Sequence, residues 1–307
     1  MQPSSSITVR VPAKVNVQLA VGGRRADGFH GVASVFFAVG IYDEVTVTPA
    51  DRLRITVAGT DADQVPADPS NLAAKAALLL GARHGIEPNV HLHIDKGIPV
   101  AGGMAGGSAD GAAALLGCDA LWGTGTDRAV LLDLAAELGS DVPFSLLGGV
   151  ALGEGRGERL TPVPTAGTFH WVFAVADGGL STPAVYGECD RLRDLGAGSS
   201  DTDVPVPATD PALLEALRTG DAGGLGAALR NDLQAAALSL RPSLADTLRA
   251  GTDAGAIGAL VSGSGPTCAF VAKDAAAAAV LAAALTASGT CRTARTAEGP
   301  VPGAVVL

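Results

Sequence analysis

Pro99-Val100-Ala101-Gly102-Gly103-Met104-Ala105-Gly106-Gly107-Ser108-Ala109-Asp110 is the stretch on which the reading of this chain turns. Glycines let a backbone aim its N–H groups inward with no Cβ in the way, and a helix predicted over Ala109–Trp122 would offer its positive end to an anion. The run reads as a phosphate cradle. It is not a Walker A loop, because Gly-Lys occurs nowhere in the chain, and no G-x-G-x-x-G dinucleotide fingerprint is present either. Taken alone, glycines before a helix serve equally well as a flexible connection.

Working outward, short segments rich in Val, Ile and Phe precede the loop. Ile7–Val11, Val15–Val21, Val32–Val39, Glu44–Thr48 and Leu53–Ala58 predict successive strands of a largely antiparallel sheet. A helix over Asn71–His84 stops at Gly85, a strand over Val90–Ile94 leads into the loop, and Thr126 is the expected cap of a helix over Asp127–Leu138. Beyond it, Asp194–Asp210 reads as a surface excursion, followed by helical patterns at Pro211–Thr219, Leu225–Ala237 and Pro242–Ala254. Strands at Ala259–Ser262 and Thr267–Ala272 flank the turn Gly263-Ser264-Gly265-Pro266, and a helix follows Asp274. The interruption at Gly153–Arg159 divides the chain into two domains, 1–155 and 156–307, with the last strand a candidate to return to the first.

Composition narrows the function. With 48% hydrophobic and 17% charged residues the 307-residue chain is globular, and a mean hydropathy of +0.33 comes from dispersed alanine and valine rather than from any membrane-length apolar run. A net charge of −10 without a basic cluster argues against nucleic acid as a partner. The opening residues lack the basic and apolar regions of a secretory signal, and the four cysteines form no CxxC pair, so buried free thiols in the cytoplasm are expected.

Two more clusters carry chemistry. In Pro12-Ala13-Lys14-Val15-Asn16, a lysine and an asparagine alternate onto one face of a strand, and in Gly139-Ser140-Asp141-Val142-Pro143-Phe144 an acid opens a short helix. Separately, the first fits a solvated strand face and the second a helix cap. Together with the glycine loop and with Ser262-Gly263-Ser264-Gly265-Pro266, their order and spacing resemble the GHMP kinases across nearly the whole chain. Arg25-Ala26-Asp27-Gly28-Phe29-His30, Ile94-Asp95-Lys96 and Asn231-Asp232-Leu233 are similar to one branch of that family, which acts on a cytidyl substrate of the non-mevalonate isoprenoid pathway.

The resemblance implies an α+β, two-domain GHMP kinase fold with its active site in the interdomain cleft. It implies transfer of the ATP γ-phosphoryl group to the 2-hydroxyl of 4-diphosphocytidyl-2-C-methyl-D-erythritol, with Mg2+, by a monomer or homodimer free of membrane and nucleic acid. By position, Asp141 would accept the hydroxyl proton and Lys14 would keep Asp141 ionised. Pro99, Gly102, Gly103, Gly106, Gly107 and Ser108 would hold the triphosphate, Ser108 would also be the best magnesium ligand with Asp110 second, and Asn71 and Lys96 would lie near the nucleoside of ATP. Asn16, Phe29, His30, Phe36, Thr182 and Tyr186 would contact the acceptor, with Phe29 and Tyr186 stacking on cytosine, while Gly263, Ser264 and Gly265 would close the cleft.

Departures from the family pattern are local. Ala101 and Met104 replace a glycine and a leucine of the loop, Ala105 and Ala109 replace a glycine and a serine, and Phe29 stands in place of tyrosine. His91 and His93 share a strand face at metal-ligand spacing but no third ligand accompanies them, so a structural role is expected. Trp122 and Trp171 read as packing residues, and His84 as a cation in the last turn of a helix. Two rivals stay open: another GHMP branch such as homoserine or mevalonate kinase, and a nucleotide-binding protein that has lost turnover, against which the presence of both Lys14 and Asp141 argues.

Overall fold

Pro12 does not end a strand. In the computed structural model, which describes residues 6–25, 28–59, 61–100, 102–197 and 206–307, the first four predicted strands are two long ones, β1 (Ile7–Arg24) and β2 (His30–Pro49). They pair antiparallel, and the register shifts beside the proline, where Pro12 faces Tyr42 and Ala13 faces Val39. Gly40 and Ile41 form the bulge that accommodates a residue without an N–H to offer.

The chain continues through β3 (Arg54–Gly59), α1 (Leu72–His84), β4 (Val90–Lys96), α2 (Gly106–Trp122), α3 (Arg128–Leu138), α4 (Val142–Leu147), β5 (Val150–Glu154) and β6 (Arg159–Pro162). Then come β7 (Phe169–Val175), α5 (Thr182–Ala197), α6 (Pro211–Thr219), α7 (Ala222–Ala228), β8 (Arg230–Asn231), α8 (Gln234–Leu240), α9 (Ser243–Asp253), β9 (Gly258–Val261), β10 (Cys268–Ala272), α10 (Ala275–Ser288), β11 (Thr293–Gly299) and β12 (Val305–Val306).

Two sheets result. The larger runs β12-β1-β2-β4-β3, with the β5–β6 hairpin on β2 and the short β8 parallel to β1; the smaller is antiparallel, in the order β11-β7-β10-β9. Because β6 pairs with β5, the first sheet runs past the 155/156 divide drawn from sequence to Pro162. Its last member, β12, comes from the end of the chain and pairs with β1.

Alternation along β1 sorts its side chains. Val9, Val11, Ala13, Val15 and Val17 enter the core, whereas Lys14, Asn16 and Gln18 share the opposite face. Helix α2 lies so close to the apolar face that a Cβ at Gly117 would stand 2.7 Å from Val47 Cγ2. The smaller sheet divides in the same way: Phe169, Trp171 and Phe173 of β7 join the core of the first sheet, and Val172 and Ala174 face α5, α8, α9 and α10. Phe37 of β2 meets Trp171 at 5.5 Å and Phe169 edge-on at 5.7 Å, so one aromatic cluster is common to both sheets.

Three local expectations change. Helix α2 begins at Gly106 rather than Ala109, with Ala105 as its N-cap in the left-handed region at φ 62°, and the Ala109 N–H donates to the Ala105 carbonyl at 2.9 Å. Asp127, not Thr126, precedes α3; Thr126 instead bonds the Asp119 carboxylate through its N–H and His84 through its hydroxyl. The helix expected over Leu225–Ala237 is broken by β8, because Asn231 and Asp232 put their side chains onto neighbouring backbone instead of continuing a helix. Part of the Asp194–Asp210 excursion, and Ala101, lie outside the described residues. Among the described residues no helix is long and apolar enough to cross a membrane. The four cysteines are free thiols, and burial pushes Cys118 and Cys268 up to about 12.

Candidate active site

Strand β1 and the glycine loop are joined at the backbone, where the Lys14 N–H donates to the Met104 carbonyl at 3.2 Å. Met104 is fully buried and anchors the loop from below. The smaller sheet holds it from the other side, as the Ser262 hydroxyl donates to the Gly103 carbonyl at 3.1 Å. Gly103 has φ 74°, and any Cβ there would collide with the Ser262 carbonyl, so only glycine lets the loop and the Ser262–Pro266 turn meet.

Lys14 is the centre of the arrangement. Its ammonium donates to Asn16 Oδ1 at 2.6 Å, stands 3.5 Å from Asp141 Oδ2, and lies 5.7 Å from the centre of the Phe36 ring. The Asn16 amide donates to the Ser34 hydroxyl at 2.7 Å, which donates to the Gln18 carbonyl at 3.1 Å. This chain fixes which way Asn16 points and leaves its oxygen to the lysine. Asp141 heads α4, yet its carboxylate makes no capping hydrogen bond and is 33% exposed. It faces open space beside an ammonium, which is not how a helix cap behaves.

The turn between β9 and β10 hangs over this pair. Asn231 Nδ2 donates to the Val261 and Gly263 carbonyls, each at 2.7 Å, and a Cβ at Gly263 would lie 3.2 Å from Asn16 Oδ1 and 3.5 Å from Lys14 Nζ. Ser264 shares a hydrogen bond with Thr182 at 2.9 Å. Further along the cleft, Tyr186 leans on His30 at 5.0 Å, and the Arg156 guanidinium sits 5.1 Å over the Phe29 ring, which is 53% exposed. Burial, and then the charge of Asp141, push the Tyr186 phenol above its ordinary range, so it stays neutral.

A single cavity of about 750 Å³ connects these parts. Of the residues expected at the site, it is lined by Lys14, Asp141, Asn16, Phe36, Phe29 and His30, by Gly102, Gly103, Gly106, Gly107 and Ser108 of the loop, and by Thr182, Tyr186 and the Gly263–Gly265 turn. Asn71 and Lys96 face a smaller space of about 230 Å³ on the other side of Gly106 and Gly107, and Pro99 lines neither of the two. Asn71 caps α1 by accepting from the Ala73 N–H at 2.8 Å and donates to the Pro66 carbonyl of the preceding loop at 2.7 Å.

Lys96 lies between two buried carboxylates, 2.5 Å from Asp43 and 2.8 Å from Asp110. Asp43 also accepts the N–H groups of Gly97 and Ile98 at 2.7 and 2.8 Å, which ties β2 to the start of the loop. Burial pulls the lysine down but the two acids outweigh it and hold it charged. Burial pushes Asp110 up to about 8; the repulsion of Asp43 adds to this, and the attraction of Lys96 only partly offsets it. Asp110 Oδ2 is held by Lys96, while its Oδ1 is buried with no hydrogen-bond partner beside the space that Asn71 lines. Among the described residues no group of three His, Cys, Asp or Glu side chains could hold a metal. His91 and His93 instead both bond the Thr56 hydroxyl, at 2.7 and 2.8 Å.

Asp43, Arg156 and Asp190 are site-region residues that the sequence reading missed. A signal existed for the first: Ile41, Asp43, Val45 and Val47 alternate onto one face of β2, and an acid on an apolar face requires a buried partner. Nothing comparable marks the other two, since they reach the cleft from a turn and from a helix far apart in the chain.

Comparison with known proteins gives a consistent picture. Residues 71–149 match the GHMP kinases N terminal domain and residues 213–291 the GHMP kinases C terminal domain. The 4-diphosphocytidyl-2-C-methyl-D-erythritol kinase of Streptomyces avermitilis is 68% identical over 302 residues, covering 98% of this chain and 100% of that one. The enzyme of that name from Thermobifida fusca is 60% identical, with both chains covered completely. A crystal structure of a 4-(cytidine 5'-diphospho)-2C-methyl-D-erythritol kinase superposes with a TM-score of 0.75 at 32% identity, covering 94% of this chain and 98% of that one. A homoserine kinase from Cytophaga hutchinsonii reaches the same TM-score at 22% identity over 100% of this chain and 99% of its own, a likeness of fold alone.

Proposed function

This chain belongs to the GHMP kinase family, among the 4-diphosphocytidyl-2-C-methyl-D-erythritol kinases, and from that premise we propose that it transfers the γ-phosphoryl group of ATP to the 2-hydroxyl of 4-diphosphocytidyl-2-C-methyl-D-erythritol in the cytoplasm. The observation that carries the mechanism is the Lys14–Asp141 pair, 3.5 Å apart, between the glycine loop and the aromatic end of one cavity. A donor held on the loop and an acceptor held by the aromatics would meet at that pair.

Phosphoryl transfer requires positioning and charge stabilisation more than covalent chemistry. Asp141 takes the proton of the 2-hydroxyl as that oxygen bonds to the γ-phosphorus; the bond from phosphorus to the β-bridging oxygen breaks, and ADP leaves. Lys14, 3.5 Å from the Asp141 carboxylate, faces the charge on the transferred group. The Gly102–Ser108 backbone and the start of α2 provide N–H groups for the phosphates. Ser108, half-buried on the cavity wall, is the residue that would hold a magnesium ion together with water and the phosphate oxygens, the ion supplying charge neutralisation when bound. The test is an ATP-consumption assay with the cytidyl substrate beside homoserine and mevalonate; turnover of either of the latter two alone would overturn the assignment.

The loop can be tested without harming the fold. A Cβ at Gly106 would press on Lys96 Nζ at 3.2 Å and Ile98 Cγ2 at 3.3 Å, whereas at Gly107 it would meet nothing within 4 Å. Gly107→Val should therefore keep its thermal transition and lose ATP affinity by about ten-fold or more, as the branches obstruct the N–H groups. Unchanged affinity in a calorimetric titration would remove the loop as the phosphate site.

The aromatic end has its own test. Base stacking is worth roughly 1–3 kcal/mol, so Phe29→Ala and Tyr186→Ala should each weaken the cytidyl substrate by about ten-fold to a hundred-fold and spare ATP. Equal binding of the substrate by wild type and both variants would exclude a sandwich.

A further inference from the structure

Arg156 lines the cleft with a charge that the transfer chemistry does not use. We propose that its guanidinium holds the diphosphate of the acceptor, so that this end of the cavity selects a nucleoside diphosphate over the bare nucleoside. The inference rests on the reading of the cavity as a site for a cytidyl nucleotide.

The stretch Gly153–Arg159, which in the sequence offers a divide between domains, contributes instead to the cavity wall. Residues 155–158 form the turn between β5 and β6, and three bonds fix it: the Val32 N–H donates to the Gly155 carbonyl at 2.9 Å, the Gly157 N–H to the Glu154 carbonyl at 3.0 Å, and the Arg156 N–H to Glu158 Oε2 at 2.6 Å. The turn is pressed against Phe36, since a Cβ at Gly157 would stand 3.3 Å from Phe36 Cζ. The Phe36 ring in turn lies 5.7 Å from Lys14 Nζ, and the Arg156 guanidinium sits 5.1 Å over the Phe29 ring. Arg156 therefore springs from a fixed turn beside the Lys14–Asp141 pair and carries its charge towards the aromatic end.

The other charges of the wall are engaged. Lys14 is shared between Asn16 and Asp141, Asp190 bonds His30, and Glu158 spends a carboxylate oxygen on the Arg156 backbone. Among the described residues no carboxylate forms an ion pair with the guanidinium of Arg156 or with that of Arg24, the second arginine of the cavity, which stands beside Gly28 at the aromatic end.

The acceptor brings an anion to that place. With its 2-hydroxyl at Asp141 and its cytosine at Phe29 and Tyr186, the diphosphate that joins the erythritol to the nucleoside has to lie between them. A chain of net charge −10 attracts no phosphate by its overall field, so the hold must be local. The guanidinium fork matches two phosphate oxygens at once, which an ammonium cannot do. Stacking recognises only the base, and the linker needs a group of its own.

Calorimetric titration with cytidine, CMP and CDP, with the loop site filled by ADP, tests the assignment in the full chain. Arg156→Leu should keep its thermal transition and its cytidine affinity and lose CDP affinity by about ten-fold to a hundred-fold, the range for a charge-assisted hydrogen-bond pair. KM for the full acceptor should rise by the same factor with kcat within a few-fold, and Arg156→Lys should recover part of the loss. Arg24→Leu removes the same charge from the aromatic end and should cost CDP only a few-fold, through a screened field. If Arg156 merely props the Phe29 ring, Arg156→Leu weakens cytidine and CDP alike, and that result overturns the proposal, as does a CDP loss of equal size in Arg24→Leu. If wild type turns over no cytidyl substrate, the functional reading fails and the titrations still decide Arg156: a CDP loss confined to its variants upholds its hold on the diphosphate, and undiminished CDP affinity overturns it.

Discussion

Asp141→Asn is expected to lower turnover by about a hundred-fold to ten-thousand-fold and to leave ATP affinity close to wild type. The substitution keeps shape and hydrogen-bonding capacity but removes the base, and a tertiary alcohol does not give up its proton to an amide. Lys14 retains its 2.6 Å bond to Asn16, so the ammonium stays in place and the loss reports on Asp141 alone. Calorimetric titration with ATP and single-turnover phosphorylation of the acceptor separate binding from chemistry. Turnover within a few-fold of wild type would reduce Asp141 to the residue that happens to precede α4.

Lys96→Met is expected to destabilise the fold by about 3–5 kcal/mol, the range for removing one partner of a buried charge group. Methionine fills the volume and cannot neutralise Asp43 or Asp110, both buried. For a chain of this size the melting temperature should drop by roughly 6–20 °C. The deficit should also depend on pH. Asp110 is held above its unfolded value, at about 8, so its contribution to stability is complete below the ordinary carboxylate range and is lost as pH rises towards 8. Without the ammonium both acids need protons to stay buried, and the deficit should widen between pH 5.5 and 8.5. Denaturant unfolding at the two pH values checks this; a deficit below about 1 kcal/mol, or one independent of pH, would show that the three groups do not depend on Lys96.

How much of this was legible before the structure depended on where each signal lies along the chain. Lys14 and Asn16 declare a shared face because they are two residues apart in a strand, and the glycine loop declares itself because glycines cluster where the backbone turns tightly before a helix. Long-range satisfaction is different. Lys96 in Ile94-Asp95-Lys96 gives no sign in the sequence of the Asp43 and Asp110 carboxylates that are brought onto it from another strand and a helix. The break in the Leu225–Ala237 helix likewise follows from the bonds of Asn231 to a turn some thirty residues further on, which no local propensity encodes. Pro12 misled in the opposite direction, since the bulge that rescues its strand belongs to β2.

The aromatic cluster of Phe37, Phe169 and Trp171 has a kinetic meaning. Walls that share one close-packed interior do not swing apart like a jaw, because every degree of opening would expose rings from both sheets to water. The cleft is better pictured as a mould than as a clamp. A ligand entering a mould spends little of its binding energy on ordering the protein, and in return it finds less tolerance for a wrong shape. Phe29 and Arg156 stand together at the rim of that mould.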